Sequence, residues 1–78
     1  QRFAVLITSE ASWLNWLAIM QDSAEFIQQA CYLVLGPRLA TILGEYLQQH
    51  QASFQFVEID DLDANTILQK MRLILGNA

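Results

Sequence analysis

Cysteine, histidine and basic residues are all scarce in this sequence. The one cysteine, Cys31, cannot close an internal disulfide, which fits a reducing compartment. Lysine and arginine together number four, Arg2, Arg38, Lys70 and Arg72; they do not cluster and are outnumbered by eight acidic residues. The net charge of −4 argues against nucleic acid as a partner, because neutralising phosphates takes clustered cations. No stretch approaches the roughly 20 apolar residues of a membrane span, and no charged segment precedes an apolar h-region, so a cytoplasmic protein without a membrane partner is expected. GxGxxG, P-loop, CxxC and HExxH motifs are also missing, which leaves nucleotide, metal and redox chemistry without their usual local warrants.

Apolar residues, by contrast, make up 54% of the 78 positions. That length holds one domain at most, and a domain so small buries only about 60% of its unfolded surface. So much apolar material in so short a chain implies either a very compact core or apolar surface meant for the rest of a larger protein. Gln1 in place of a Met suggests a processed product or an excerpt. Residues 1–78 are therefore expected to be one unit of a longer chain.

The clearest local signature lies at residues 31–47. Residues 31–35, CYLVL, are a short continuous apolar run rich in β-formers, as expected of a central parallel strand covered on both faces. Gly36 supplies a tight turn. Pro37 then sits at the first helical position, where its missing N–H has no intrahelical acceptor to lose. Leu39, Ile42, Leu43, Tyr46 and Leu47 follow at the spacing of one amphipathic stripe.

The other segments repeat this pattern. Residues 3–7, FAVLI, read as a first strand ending in Thr8-Ser9, either of which can cap a helix over residues 10–20. Trp13, Leu14, Leu17 and Met20 lie on one side of that helix, with Trp16 and Ile19 widening the arc, a pattern that suggests burial on more than one side. Asp22 with Glu25 resembles a capping box for a short helix over 23–29, with Phe26, Ile27 and Ala30 inward. Residues 48–52 read as a polar connection and 54–59 as a third strand, with Phe54 and Phe56 on one face and Val57 and Ile59 on the other. The acidic turn at 60–63 leads to a last helix over 64–75, with a stripe of Ile67, Leu68, Met71, Ile74 and Leu75 and a stop at Gly76. The sum is an α/β fold of βαβαβα order with one extra short helix, a three-layer parallel sheet with helices on its faces in the flavodoxin-like manner.

In open sheets of this kind ligands bind beyond the carboxyl ends of the strands, which here are the turns at 8–10, 36–38 and 60–62. His50, in a polar connection, reads as a solvated residue, and Cys31 as a buried inert thiol with nothing nearby to lower its pKa. Asp61, Asp63 and Asn65 imitate the start of a calcium loop, but Thr66 stands where the loop needs Gly and Arg72 where it needs a bidentate Glu, so capping explains them better. Tyr46 and the two tryptophans read as core. Thr8-Ser9 and Gly36-Pro37-Arg38 remain: each opens a helix and offers backbone amides, the second with a guanidinium, an arrangement that favours carboxylates or phosphates. Ordinary helix capping is the alternative for both.

The succession of apolar strand, Thr8-Ser9-Glu10, helix, apolar strand, Leu35-Gly36-Pro37-Arg38-Leu39-Ala40, helix, and strand ending in an acidic turn resembles the C-terminal part of uroporphyrinogen-III synthases, bacterial forms especially. In that family one strand ends in a Thr/Ser-Ser/Pro turn, and a later strand ends in a Gly-Pro-x-Thr-Ala or Ser-x-Arg-Leu-Ala turn. The resemblance spans nearly all of this chain and a minor part of a complete synthase. It implies a two-domain lyase that closes the linear tetrapyrrole hydroxymethylbilane, which carries many carboxylates, into uroporphyrinogen III with inversion of the last pyrrole. No metal and no cofactor are implied, and the remaining domain of the same chain is the implied partner. Substrate carboxylates would meet Thr8 and Ser9 from one turn and Gly36, Pro37 and Arg38 from another; no residue is assigned as acid or base, and the fragment alone would be inactive. The Thr of the Gly-Pro-x-Thr form is Leu39 here, so a hydroxyl contact from that position is missing. A different class of reading is a non-catalytic interaction or regulatory module, receiver-like but without a phosphoacceptor Asp at the end of the central strand.

Overall fold

The computed structural model describes residues 3–75. The elements in chain order are β1 (Phe3–Ile7), α1 (Glu10–Ile19), α2 (Ala24–Gln29), β2 (Ala30–Leu35), α3 (Pro37–His50), β3 (Gln55–Ile59) and α4 (Ala64–Leu75). The unbroken apolar run of β2 takes the middle of the sheet, where strand residues find cover on both sides. The order is β1-β2-β3, all parallel, with Ile7 opposite Val34 and Leu35 opposite Ile59. All three strands consequently end on the same edge of the sheet.

Strand alternation divides the core in two. Tyr32 and Val34 point to one face, where they meet Trp13 of α1, Ile27 of α2, and Leu39 and Leu43 of α3, together with Ile7 and Phe54. Cys31 and Leu33 point to the other face and meet Ile59 and Ile74, with Val57, Ile67 and Met71 packed around them from β3 and α4. The result is an α/β arrangement with α1, α2 and α3 on one face and α4 on the other. Both crossovers run over the same face, so the strands step across the sheet in one direction.

Among the described residues Tyr32 carries the one fully buried hydroxyl, and it is satisfied twice. The phenol donates to the carbonyl of Ile27 at 2.9 Å and accepts from Trp16 Nε1 at 2.9 Å. Its ring meets Trp13 and Phe54 edge-on, at centroid distances of 5.4 and 4.7 Å. One buried side chain of the central strand thus ties down both α1 and α2.

Several features depart from the pattern read in the sequence. The inward stripe of α1 is Trp13, Trp16 and Leu17, continued by Met20, whereas Leu14 and Ile19 lie off it and are exposed at 55% and 63%. The wide apolar arc is therefore not enclosed on two sides, because α1 covers a three-stranded sheet from one face and, among the described residues, none covers its outer side. Phe26 is likewise exposed, though its ring sits 6.4 Å from that of Phe3. No capping box forms at Asp22: Ser23 is the N-cap and makes no side-chain hydrogen bond, and the turn is closed by main-chain bonds from Ser23 N to Met20 O and from Phe26 N to Ser23 O. His50 belongs to the last turn of α3 rather than to a connection, stacked on Tyr46 at 4.2 Å, and the chain leaves the helix at Gln51 with φ 52°. Phe54 precedes β3 but is buried beside Tyr32. On α4, Leu68 is exposed, and the expected stop at Gly76 lies outside the described residues.

Two outcomes test this packing. Leu43 is fully buried at the centre of the α3 stripe, so Leu43→Ala is expected to cost about 2 to 5 kcal/mol in denaturant melts. A cost under about 0.5 kcal/mol would contradict a packed α3 face. Burial pushes the Tyr32 phenol up to about 12 from 10.0, against the opposing pull of the Trp16 bond. Because the folded state holds this proton more tightly than the unfolded chain, the stabilisation is complete below pH 10 and is lost as pH climbs towards 12. The loss is on the order of 2 to 3 kcal/mol. Melts of Tyr32→Phe across that range should show a flatter alkaline decline than the parent sequence; equal declines would mean that another group controls it.

Candidate functional site

The parallel register brings the ends of β1 and β2 side by side, and with them the turns that open α1 and α3. Ser9 is the N-cap of α1. Its hydroxyl accepts from Ser12 N at 3.1 Å while the Ser12 hydroxyl accepts from Ser9 N at 3.2 Å, a reciprocal capping box. Gly36 is the N-cap of α3 with φ 89°, a left-handed conformation that a side chain would strain. Its N–H donates to Ile59 O at 2.9 Å, which fastens this turn to the end of β3. Pro37 follows as the first helical residue, and no side chain caps α3.

Between the two turns is an open depression of about 330 Å³ lined by Thr8, Ser9, Glu10, Leu35, Arg38 and Leu39. Of the five residues singled out in the sequence, Thr8, Ser9 and Arg38 line it, while Gly36 and Pro37 do not and belong to the turn that opens α3. The amides on offer are fewer than two open helix ends would supply. Ser9 N and Ser12 N are taken up by the capping box, Gly36 N is engaged and Pro37 has none, which leaves the amides of Glu10 and Ala11 in the first turn of α1 and those of Arg38 and Leu39 in the first turn of α3, the end that no side chain caps. Glu10, Leu35 and Leu39 also line the depression. The sequence marks the turn at 8–10 as a strand end where a ligand would bind but gives Glu10 no role of its own. In the structure its Oε1 lies 3.4 Å from Arg38 Nη2.

The third turn on this edge is acidic and largely occupied with itself. Asp61 Oδ1 accepts from Asp63 N at 2.9 Å, and Asp63 Oδ1 accepts from Asn65 N at 2.8 Å, so capping is what these carboxylates do. Among the described residues, no group of three or more His, Cys, Asp or Glu side chains is arranged to hold a metal ion. The edge therefore carries one guanidinium, Arg38, beside the carboxylates Glu10, Asp60 and Asp61.

At the opposite end of the sheet a second depression of about 220 Å³ is lined by Gln28, Gln29, Ala30, Cys31, Ser53, Phe54 and Gln55. Gln28 Oε1 accepts from Ser53 N at 2.9 Å across it. The Cys31 thiol is buried and points to the other face, donating to Ile74 O at 3.7 Å, a weak and inert arrangement. Among the described residues no helix is long and apolar enough to cross a membrane. The chain matches no protein-family model, no curated protein and no solved structure.

The geometry at Ser9 predicts a structural effect on substitution. Ser9→Ala removes the hydroxyl that accepts from Ser12 N, leaving of the capping box only the bond from Ser9 N to the Ser12 hydroxyl, and is expected to lower stability by about 0.5 to 2 kcal/mol. A melt that does not move would mean the hydroxyl is not holding α1.

Proposed function

We propose that this chain is the C-terminal part of a uroporphyrinogen-III synthase, a flavodoxin-like portion of a two-domain enzyme that closes hydroxymethylbilane to uroporphyrinogen III. The observation that carries the reading is the adjacency of two turns, Thr8-Ser9 and Gly36-Pro37-Arg38, at the carboxyl ends of neighbouring parallel strands around one depression. Thr8 contributes a hydroxyl, Arg38 a guanidinium, and the first turn of α3 its amides. Each is a donor suited to a carboxylate.

The chemistry asks for little more than this from the protein. Loss of the terminal hydroxyl from the bilane leaves a positive centre, and ring closure follows if the chain is held folded with the last pyrrole inverted. Orientation supplies much of the rate in such a step. The carboxylates of Glu10, Asp60 and Asp61 favour positive charge along this edge, while the donors between them hold the substrate by its periphery. The balancing cations for a polycarboxylate, and the other wall of the cleft, would come from the remaining domain of a cytoplasmic parent enzyme. Neither a metal nor a cofactor enters the scheme. Half of a cleft cannot hold a folded tetrapyrrole, so the fragment is inactive alone.

The experiment is the ratio of type III to type I porphyrin formed from hydroxymethylbilane by the full-length protein, because spontaneous closure gives type I. The expected result is predominantly type III. Arg38→Ala should weaken substrate binding by about 1.5 to 3 kcal/mol, the worth of a charge-assisted contact. Thr8→Val tests the strand-end hydroxyl at nearly constant volume and should lower activity. Type I alone, from a folded protein and fresh substrate, would overturn the synthase reading in favour of a non-catalytic α/β interaction module.

A further inference from the structure

Among the described residues Arg38 is the one cation lining the strand-end depression, and it is already engaged. Its partner, Glu10, opens α1, so the contact joins the two helix starts between two side chains that both line the depression. The side chains of Arg38 and Glu10 are exposed at 85% and 50%. Ion pairs so open to water hold weakly and exchange partners at little cost. A released Glu10 would not be stranded, because it stays in the first turn of α1, where the helix dipole favours a carboxylate.

We propose that Glu10 is a specificity-determining residue of this depression: it holds Arg38 in the free protein and is displaced by a carboxylate of the substrate, so that it sets the affinity for anionic ligands. The inference rests on the synthase reading. With Glu10 as resident competitor, a ligand gains from Arg38 only by offering a carboxylate better placed than the one already there. A singly charged or poorly oriented acid gains little from the exchange, whereas a polycarboxylate anchored at several other points brings its carboxylate to Arg38 at high effective concentration.

The test is a two-residue cycle in the full-length protein, with KM for hydroxymethylbilane measured for the parent sequence, Glu10→Gln, Arg38→Ala and the double variant at low and high ionic strength. Glu10→Gln is expected to lower KM about two- to fivefold at low salt, with the gain shrinking as salt rises. In the Arg38→Ala background the same change should leave KM where it is, since there is no guanidinium left to release. An equal fall in both backgrounds would mean that Glu10 only repels the substrate directly, and an unchanged or higher KM would mean that it does not compete at all; either overturns the proposal. The isomer ratio from the same reactions separates the two levels. Type III product with no effect of Glu10→Gln defeats this inference alone, whereas type I alone defeats the synthase reading and the inference with it.

Discussion

The fold depends on the buried phenol of Tyr32. A hydroxyl enclosed without partners would cost several kcal/mol on the order of a lost hydrogen bond and its desolvation, so any arrangement that puts β2 in the middle of the sheet must bring a donor and an acceptor to this point. Trp16 Nε1 and the Ile27 carbonyl are those partners. Their positions fix α1 and α2 against β2. With α1 held at Trp16 by this bond and at Trp13 by edge-on packing, its first turn is carried to the end of β1, beside the start of α3. The depression at the strand ends is thus set by contacts in the middle of the core.

Much of this was legible in the chain. Continuous apolar runs separated by helical stripes leave few alternatives to a parallel sheet, and Gly36-Pro37 announces a helix start because one residue tolerates positive φ and the other needs no acceptor for an N–H. Side-chain alternation placed Phe56 and Val57 on opposite faces. What escaped the reading was contact at long range. Periodicity assigns Leu14 to the apolar side of α1 but cannot say that no element lies beyond it. Polar residues at 48–50 look like a connection, yet Gln48, Gln49 and His50 complete α3, whose far side faces water and tolerates them. The pairing of Glu10 with Arg38 joins residues 28 positions apart and follows only from the adjacency of β1 and β2.

The site is correspondingly mixed in character. Ser9 and Gly36 are committed to structure, one by capping α1 and the other by its turn and its bond to Ile59. Thr8, Glu10, Arg38 and the first turn of α3 border the depression, with Glu10 paired to Arg38. A depression with one guanidinium and an acidic surround suits a substrate that is anchored by carboxylates yet passes through a cationic state. It would suit a simple anion poorly. Exposed Leu6, Leu14, Ile19 and Phe26 supply apolar surface of the kind that a larger parent protein would cover.

Under the proposed function, carboxylates are recognised at the joined ends of β1 and β2. The most direct measurement is a residue-resolved amide spectrum of the full-length protein titrated with uroporphyrinogen III under reducing conditions. The largest changes are expected at Thr8, Glu10, Arg38 and Leu39, with Gln28 and Ser53 at the far end of the sheet unmoved. Changes centred on that far end, or none at the strand-end turns at saturating product, would contradict it.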